Sequence, residues 1–176
     1  MDLRQFAETY HAATFCLAWS PDHLDVIGAL QTAILQGGQS AIAMPRGSGK
    51  TSLSIAACEW ALLFGHRRFL LLIAATEAAA TQLLELIRQD LQTAGTPLAE
   101  DFPEVIAPIL ALDGIGNRAA GQLHQGERTK ITLTDSEIVL PTIVGSAASG
   151  AILRVAGLLG RIRGAIARLP NGQTAR

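Results

Sequence analysis

The chain has 176 residues, of which 49% are hydrophobic and 16% are charged, and its formal net charge is −1. This composition is typical of a globular domain with a sizeable core and excludes a disordered chain. No apolar run approaches the roughly 20 residues of a membrane-spanning helix, and the N-terminus shows no secretory signal. We therefore expect a cytoplasmic protein without a membrane partner.

The near-zero net charge hides an asymmetry between the two parts of the sequence. Residues 1–114 carry six Lys or Arg against twelve Asp or Glu, whereas residues 115–176 carry eight against three. A basic bias of this kind is typical of a surface that faces nucleic acid or nucleotide, and equally of an ordinary solvated surface. Both interpretations stay open.

The cysteines and histidines give no sign of a metal site. Cys16 and Cys58 fall within helical patterns and are predicted to be two small buried thiols rather than a disulfide. The four histidines are scattered without the spacing of metal ligands.

Local signals predict the first elements in chain order. A helix is expected over about residues 4–18, and a second one starts at Ser20-Pro21-Asp22, where serine is the N-cap and proline the first helical residue. Gly37-Gly38 ends this helix. The short apolar run Ala41–Met44 predicts a buried strand, and a further helix is expected from about Lys50 to Phe64, with Gly65 as its cap.

The next elements predict an α/β fold with a mainly parallel sheet flanked by helices. The run Phe69–Ala74 is apolar at every position, as in a parallel strand covered on both faces. Thr76 is the expected cap of a helix over Glu77–Leu91. The second half predicts a loop from Gly95 to Pro108, with at most one helical turn, and a β-hairpin, whose strands are Thr129–Thr134 and Ile138–Val144.

The sequence between the first predicted strand and its helix has the order that a phosphate-binding loop requires. Two glycines let backbone N–H groups point at an anion, and the following helix adds the positive end of its dipole. Met44 stands where the usual pattern has its first glycine, so the match is deviant, and a chance Gly-Lys-Thr at a strand–helix junction is the alternative. The predicted nucleotide-binding residues are Pro45, Arg46, Gly47, Ser48, Gly49, Lys50 and Thr51.

Within this loop, the chemistry of two side chains predicts ATP and Mg²⁺ as cofactors. Lys50 is expected to reach the β- and γ-phosphates as a catalytic point charge, and the Thr51 hydroxyl to ligate Mg²⁺. A hydrolytic site also needs a carboxylate after a buried strand. Ile109–Asp113 has that outline, but the neighbouring Pro108 and Gly114 favour an apolar helical turn. We therefore expect an incomplete domain whose acidic strand lies beyond Arg176, and little ATP turnover by this chain alone.

The segment Met44–Thr51 resembles the deviant phosphate loop of large terminase subunits, the ATP-driven motors that package DNA into viral capsids. Other segments, in the same order, are similar to phage and prophage terminases. They are Phe69–Glu77, Asp101–Val105, Gly121-Gln122, Ile138–Pro141 and Gly160–Gly164.

The resemblance implies a P-loop NTPase fold, with helices in residues 1–40 and the N-terminal part of the ATPase domain in residues 41–176. It implies ATP hydrolysis coupled to double-stranded DNA translocation in the bacterial host cytoplasm. The implied partners are double-stranded DNA, a small terminase subunit, a portal protein and further copies in a ring. The nuclease domain of the family has no counterpart in this sequence.

The resemblance also implies roles for three arginines. Arg46 lies within the loop, where a guanidinium would act on the γ-phosphate and neutralise charge that develops on the transferred phosphoryl group. The alternative is a solvent-facing side chain beside a turn. Arg161 and Arg163, flanked by glycines, are candidates for an arginine that acts on a neighbouring subunit of the ring.

Two other functions remain open. The order of strand, loop, helix and strand is shared by other DNA-dependent P-loop ATPases such as helicase-like motors. A non-catalytic nucleotide-binding module without an acidic strand is the alternative from a different class. A small-molecule kinase is disfavoured, because no second glycine-rich lid is present in the sequence.

Overall fold

The computed structural model describes residues 1–159, 167–169, 172, 174 and 175. It divides the chain into two compact units, residues 1–61 and residues 62–176. The segment Gly160–Gly164, with the candidate arginines Arg161 and Arg163, lies outside the described residues. None of the described helices combines the length and the hydropathy needed to cross a bilayer.

Two helices open the first unit. Helix α1 (Leu3–Tyr10) begins with a capping box, in which Asp2 accepts the Gln5 N–H at 2.8 Å and its own N–H donates to the Gln5 side chain. It is shorter than the predicted helix over residues 4–18, because the chain leaves the helical conformation at His11 (φ −120°) and then turns. Helix α2 (Pro21–Gln36) has the predicted Ser20 cap and ends at Gly37, whose φ is +83°.

The predicted strand Ala41–Met44 is wrong. These residues belong to none of the described strands, and Ala41, Ile42 and Ala43 are exposed. An apolar segment becomes a strand only when a neighbouring strand satisfies its backbone N–H and C=O groups. No described strand does so here. The chain instead runs irregularly from the end of α2 to α3 (Lys50–Leu63), which matches its predicted helix.

The core of the first unit forms where α1 and α3 contribute large apolar side chains. Phe6, Leu53 and Trp60 are almost completely buried. The Trp60 indole N–H donates to the Met1 carbonyl at 3.2 Å, so its polar atom is satisfied. The buried Glu59 carboxylate lies 2.7 Å from the Nε2 atom of His11.

Both cysteines are free thiols. Cys16 is exposed, so its predicted burial is wrong, because it follows the end of α1 instead of lying on a helix. Burial raises the pKa of the Cys58 thiol, on α3, to about 12.

The second unit contains the described β-strands and three further α-helices. The helices are α4 (Glu77–Leu91), α5 (Pro97–Asp101) and α6 (Pro103–Leu110), followed by a 3₁₀ helix (Gly116–Gly121). The strands are β1 (Phe69–Ala74), β2 (Leu123–His124), β3 (Glu127–Arg128), β4 (Thr132–Leu133), β5 (Glu137–Val139), β6 (Ile152–Gly157), β7 (Ala167–Arg168) and β8 (Thr174–Ala175).

The class is α/β, as predicted, but the sheet is mixed rather than mainly parallel. Its order is β1-β6-β5-β4, in which β1 pairs parallel to β6 and the other two pairs are antiparallel. Antiparallel β4 and β5 are the predicted hairpin, with shorter strands than expected. Strand β1 has its predicted bounds but is not covered on both faces, since Ile73 is 42% exposed.

Helix α4 packs against β1 and β6, and it has the predicted bounds and the predicted Thr76 cap. Leu84 and Ile87, which lie on its apolar face, are buried. The end of β6 comes very close to the start of this helix. A Cβ atom added at Gly157 would lie 2.6 Å from the backbone nitrogen of Glu77.

The segment from Gly95 to Pro108 is more helical than the predicted loop with at most one helical turn, because it contains α5 and most of α6. Each helix has proline at its first position, and the Thr96 side chain caps α5. The interpretation of Ile109–Asp113 as an apolar helical turn is confirmed. Helix α6 ends at Leu110, and Asp113 follows in a turn with φ +52°.

Candidate functional site

The loop in front of α3 has the backbone conformation that its glycines predict. Gly47 has φ +79° and Gly49 has φ +75°, in the left-handed region that favours glycine. A Cβ atom at either position would meet nothing within 4 Å. The need for glycine is therefore conformational, and neighbouring atoms do not impose it.

The backbone amides of this loop are available to a ligand. Among the described residues, no hydrogen bond of good geometry forms from the N–H groups of residues 46–52, where Arg46 and Gly47 lie in a turn. The first satisfied amide of the helix is that of Leu53, which donates to the Gly49 carbonyl at 2.9 Å. Unsatisfied N–H groups at the start of a 14-residue helix carry partial positive charge, which favours an anion.

The Lys50 side chain folds back over the loop. Its Nζ donates to the carbonyl oxygens of Met44, at 2.7 Å, and Pro45, at 2.6 Å. The Ser48 hydroxyl donates to the same Pro45 carbonyl at 2.8 Å, which closes the turn. An ammonium group has three donors, so two of them hold Lys50 in place and the third can reach a ligand oxygen.

The other predicted site residues lie at the same place on the surface. Arg46 and Thr51 are exposed on either side of the two glycines. Within the part of the chain that the structure describes, no side-chain hydrogen bond or ion pair occupies either one. Residues 45–51 thus form one continuous segment in front of and at the start of α3, while Arg161 and Arg163 lie outside the described residues.

One residue of the site was not predicted from the sequence. The His23 Nε2 atom lies 2.9 Å from the Ser48 carbonyl oxygen, and its Nδ1 atom lies 2.6 Å from the Ser20 hydroxyl. His23 was grouped with the other scattered histidines. The available signal was its position three residues after the N-cap serine, which places it at the exposed start of α2.

An aromatic cavity of about 340 Å³ lies beside the loop. Its walls include Phe15, Trp19 and His23 together with residues 47–49 of the loop. The ring centroids of Phe15 and Trp19 are 5.0 Å apart, and those of Trp19 and His23 are 5.9 Å apart. The sequence did not predict this cavity, because residues 11–18 were assigned to a helix.

Comparison with known proteins adds no relative to these observations. No protein-family model, curated protein or solved structure matches the chain. The resemblance to large terminase subunits therefore stays a prediction from the residues that carry it.

Proposed function

We propose that residues 45–51 bind the triphosphate of ATP together with Mg²⁺, and that the chain is the ATP-binding portion of a DNA-packaging motor of the large terminase type. The observation that carries the nucleotide site is that the amides of residues 46–52 have no acceptor among the described residues, in the same short segment that carries Lys50 at the start of α3. Amides and an ammonium in one place favour a polyanion over a neutral ligand.

Each side chain has a distinct part in the proposed chemistry. The loop amides and Lys50 bind phosphate oxygens, and Thr51 would hold Mg²⁺ through its hydroxyl. When bound, Mg²⁺ supplies charge that neutralises the phosphates. The exposed Arg46 guanidinium stabilises negative charge on the phosphoryl group that is transferred.

The aromatic cavity supports a nucleotide over a simple phosphate. Trp19 and Phe15 line this cavity next to the loop, and every nucleobase has a π-face that can stack on aromatic rings. A volume of about 340 Å³ lies within the range of small-ligand sites. The base and the triphosphate of one ATP molecule would therefore contact adjacent parts of the first unit.

The motor assignment rests on other support. It comes from the ordered resemblance of several segments to phage and prophage terminases, which implies double-stranded DNA, a small terminase subunit and a portal protein as partners. The basic bias of residues 115–176 agrees with a nucleic-acid partner. Nucleotide binding can therefore be correct even if the motor assignment fails.

Calorimetric titration with Mg-ATP tests the nucleotide site. We expect Lys50→Ala to weaken binding by about 100-fold, which corresponds to about 2.7 kcal/mol. The control is Lys130→Ala, which removes the other lysine of the sequence at an exposed position in the second unit. The site is wrong if wild-type protein does not bind Mg-ATP, or if Lys50→Ala binds as tightly as the control.

DNA binding at several salt concentrations tests the partner. We expect weak affinity for double-stranded DNA that is independent of sequence and falls steeply between about 50 and 200 mM salt, because phosphate contacts release counterions. Tight binding that persists at high salt would contradict the proposed partner surface. Absence of DNA binding, together with normal ATP binding, would favour the non-catalytic nucleotide-binding module.

A further inference from the structure

We infer that His23 is a positioning residue, which holds the phosphate loop in its anion-accepting conformation before a ligand arrives. This inference rests on the proposed nucleotide site. It starts from an unusual connection: a side chain from the first turn of α2 reaches the backbone of a loop 25 residues later. The contact is to Ser48, the residue between the two left-handed glycines.

Hydrogen-bond chemistry determines which ring nitrogen carries the proton. The Ser48 carbonyl can only accept, so the His23 Nε2 atom must be protonated and donate to it over 2.9 Å. In the neutral ring, Nδ1 is then an acceptor, and the Ser20 hydroxyl donates to it over 2.6 Å. The Ser20 oxygen also accepts the backbone N–H of His23. The N-cap of α2 therefore sets the orientation of the imidazole ring.

The contact with Ser48 controls where the next amide points. In a trans peptide, the C=O and the following N–H point in opposite directions. Because His23 holds the Ser48 carbonyl toward α2, the Gly49 N–H points away from α2. That N–H is among those that no described residue accepts, so it stays available to an anion.

Positioning matters here because a glycine-rich loop is costly to order. Glycine loses more conformational freedom than any other residue when it is held in one conformation. If His23 already holds the loop in place, part of the conformational entropy is lost on folding and not on ligand binding. Without the histidine, the ligand itself has to order the loop, and its affinity falls.

The test compares ring shape with hydrogen bonding. His23→Phe keeps an aromatic ring beside Trp19 but removes the donor to Ser48, whereas His23→Gln retains a side-chain N–H. Each variant is titrated with Mg-ATP and with inorganic tripolyphosphate, which lacks a base. We expect His23→Phe to weaken both ligands by about the same factor, roughly tenfold, as is typical when one hydrogen bond is lost. His23→Gln is expected to recover most of this loss.

Several outcomes overturn the inference while leaving the nucleotide site intact. If Lys50→Ala loses binding but His23→Phe binds both ligands like wild type, His23 does not position the loop. If His23→Phe weakens ATP but not tripolyphosphate, the ring acts on the base instead. Failure of wild type to bind either ligand would instead remove the proposed function itself.

A second pair of variants keeps the test decisive if His23→Phe does not fold. Ser20→Ala leaves the imidazole but removes the oxygen that orients it, and we expect about threefold weaker binding of both ligands. His23→Gln should stay within about threefold of wild type. Equal affinity of wild type and Ser20→Ala would overturn the inference, as would a His23→Gln variant that loses binding completely.

Discussion

The chain contains two short apolar runs that each precede a helix, and only one of them is a strand. Phe69–Ala74 pairs with β6 along its whole length, with Phe69 opposite Ile152 and Ala74 opposite Gly157. Ala41–Met44, which carries the same local signal, pairs with none of the described strands. An apolar run therefore indicates a tendency to extend, whereas the partner decides whether a strand forms.

The helices after the two runs differ in how their first amides are used. Thr76 accepts the Ala79 N–H at 3.1 Å at the start of α4. At the start of α3, the amides before Leu53 have no acceptor among the described residues. The region with a regular strand thus has a capped helix, and the irregular region keeps donors available for a ligand.

The largest expected effect is the difference in unfolding free energy between a truncation next to the regular strand and one in the irregular segment. Leu153 on β6 is fully buried, whereas Ile42 in the irregular segment is 36% exposed. We expect Leu153→Ala to lower the free energy of unfolding by about 2–5 kcal/mol, and Ile42→Ala by less than about 1 kcal/mol. Denaturant unfolding measures both. An equally large loss at Ile42 would mean that Ala41–Met44 packs as a buried strand in solution.

A second prediction sharpens the comparison at the two ends of α3. Gly47 and Gly65 both have positive φ, but only at Gly65 would a Cβ atom meet another residue, the Ala147 carbonyl oxygen at 2.6 Å. Gly47→Ala should cost about 1 kcal/mol from backbone strain, and Gly65→Ala about 1–3 kcal/mol more from overpacking. Thermal or denaturant unfolding of the two variants should keep this order, and the reverse order would contradict the packing described at Gly65.

Amide hydrogen exchange sharpens the comparison of backbone satisfaction. Without ligand, the amides of residues 41–44 and 46–49 should exchange fast, and those of β1 slowly. Saturating Mg-ATP should slow exchange in residues 46–52 by about tenfold or more, because phosphate oxygens become their acceptors. The β1 amides are the internal control. Slow exchange of residues 46–52 in the free protein would show that these amides already have acceptors.

The smallest expected effect concerns the turn between α3 and β1. Burial lowers the pKa of His66 in the folded chain below the ordinary value of a histidine. The unfolded chain therefore binds the proton more readily, so the free energy of unfolding should fall as the pH drops below about 6.5. His66→Gln should show a weaker pH dependence between pH 7.5 and 5.5. An unchanged profile would place this dependence on other groups.

Elements with local start and stop signals were predicted well. The Ser20 cap and Gly37 define α2, and Thr76 defines the start of α4. The capping side chains accept N–H groups of the first helical turn, and the glycine ends the helix, regardless of distant contacts. The mixed strand order was not predictable, since it depends on which distant segment reaches β1. The helical content of α5 and α6 was underestimated because their prolines were taken as breaks, although proline at the first helical position starts a helix.

In the candidate site, too, the features set by local sequence were predictable and those set by distant contacts were not. The positive φ values of Gly47 and Gly49 follow from the local pattern, and so does the position of Lys50 at the start of a helix. The reach of His23 to Ser48 and the aromatic wall were not predictable, because both depend on how residues 11–23 fold back beside the loop. The site also departs from expectation in one respect, since Lys50 rests on the loop carbonyls.

The close approach of Gly157 to Glu77 limits how this protein can vary. The obstacle at that junction is main-chain nitrogen and carbon, which cannot rotate aside as a flexible side chain can. Even the methyl group of alanine would force the first turn of α4 away from the sheet. No residue with a Cβ atom therefore fits at position 157, whatever the size or polarity of its side chain. Natural variants that retain this strand–helix junction should therefore keep glycine at position 157, whatever changes elsewhere in the chain.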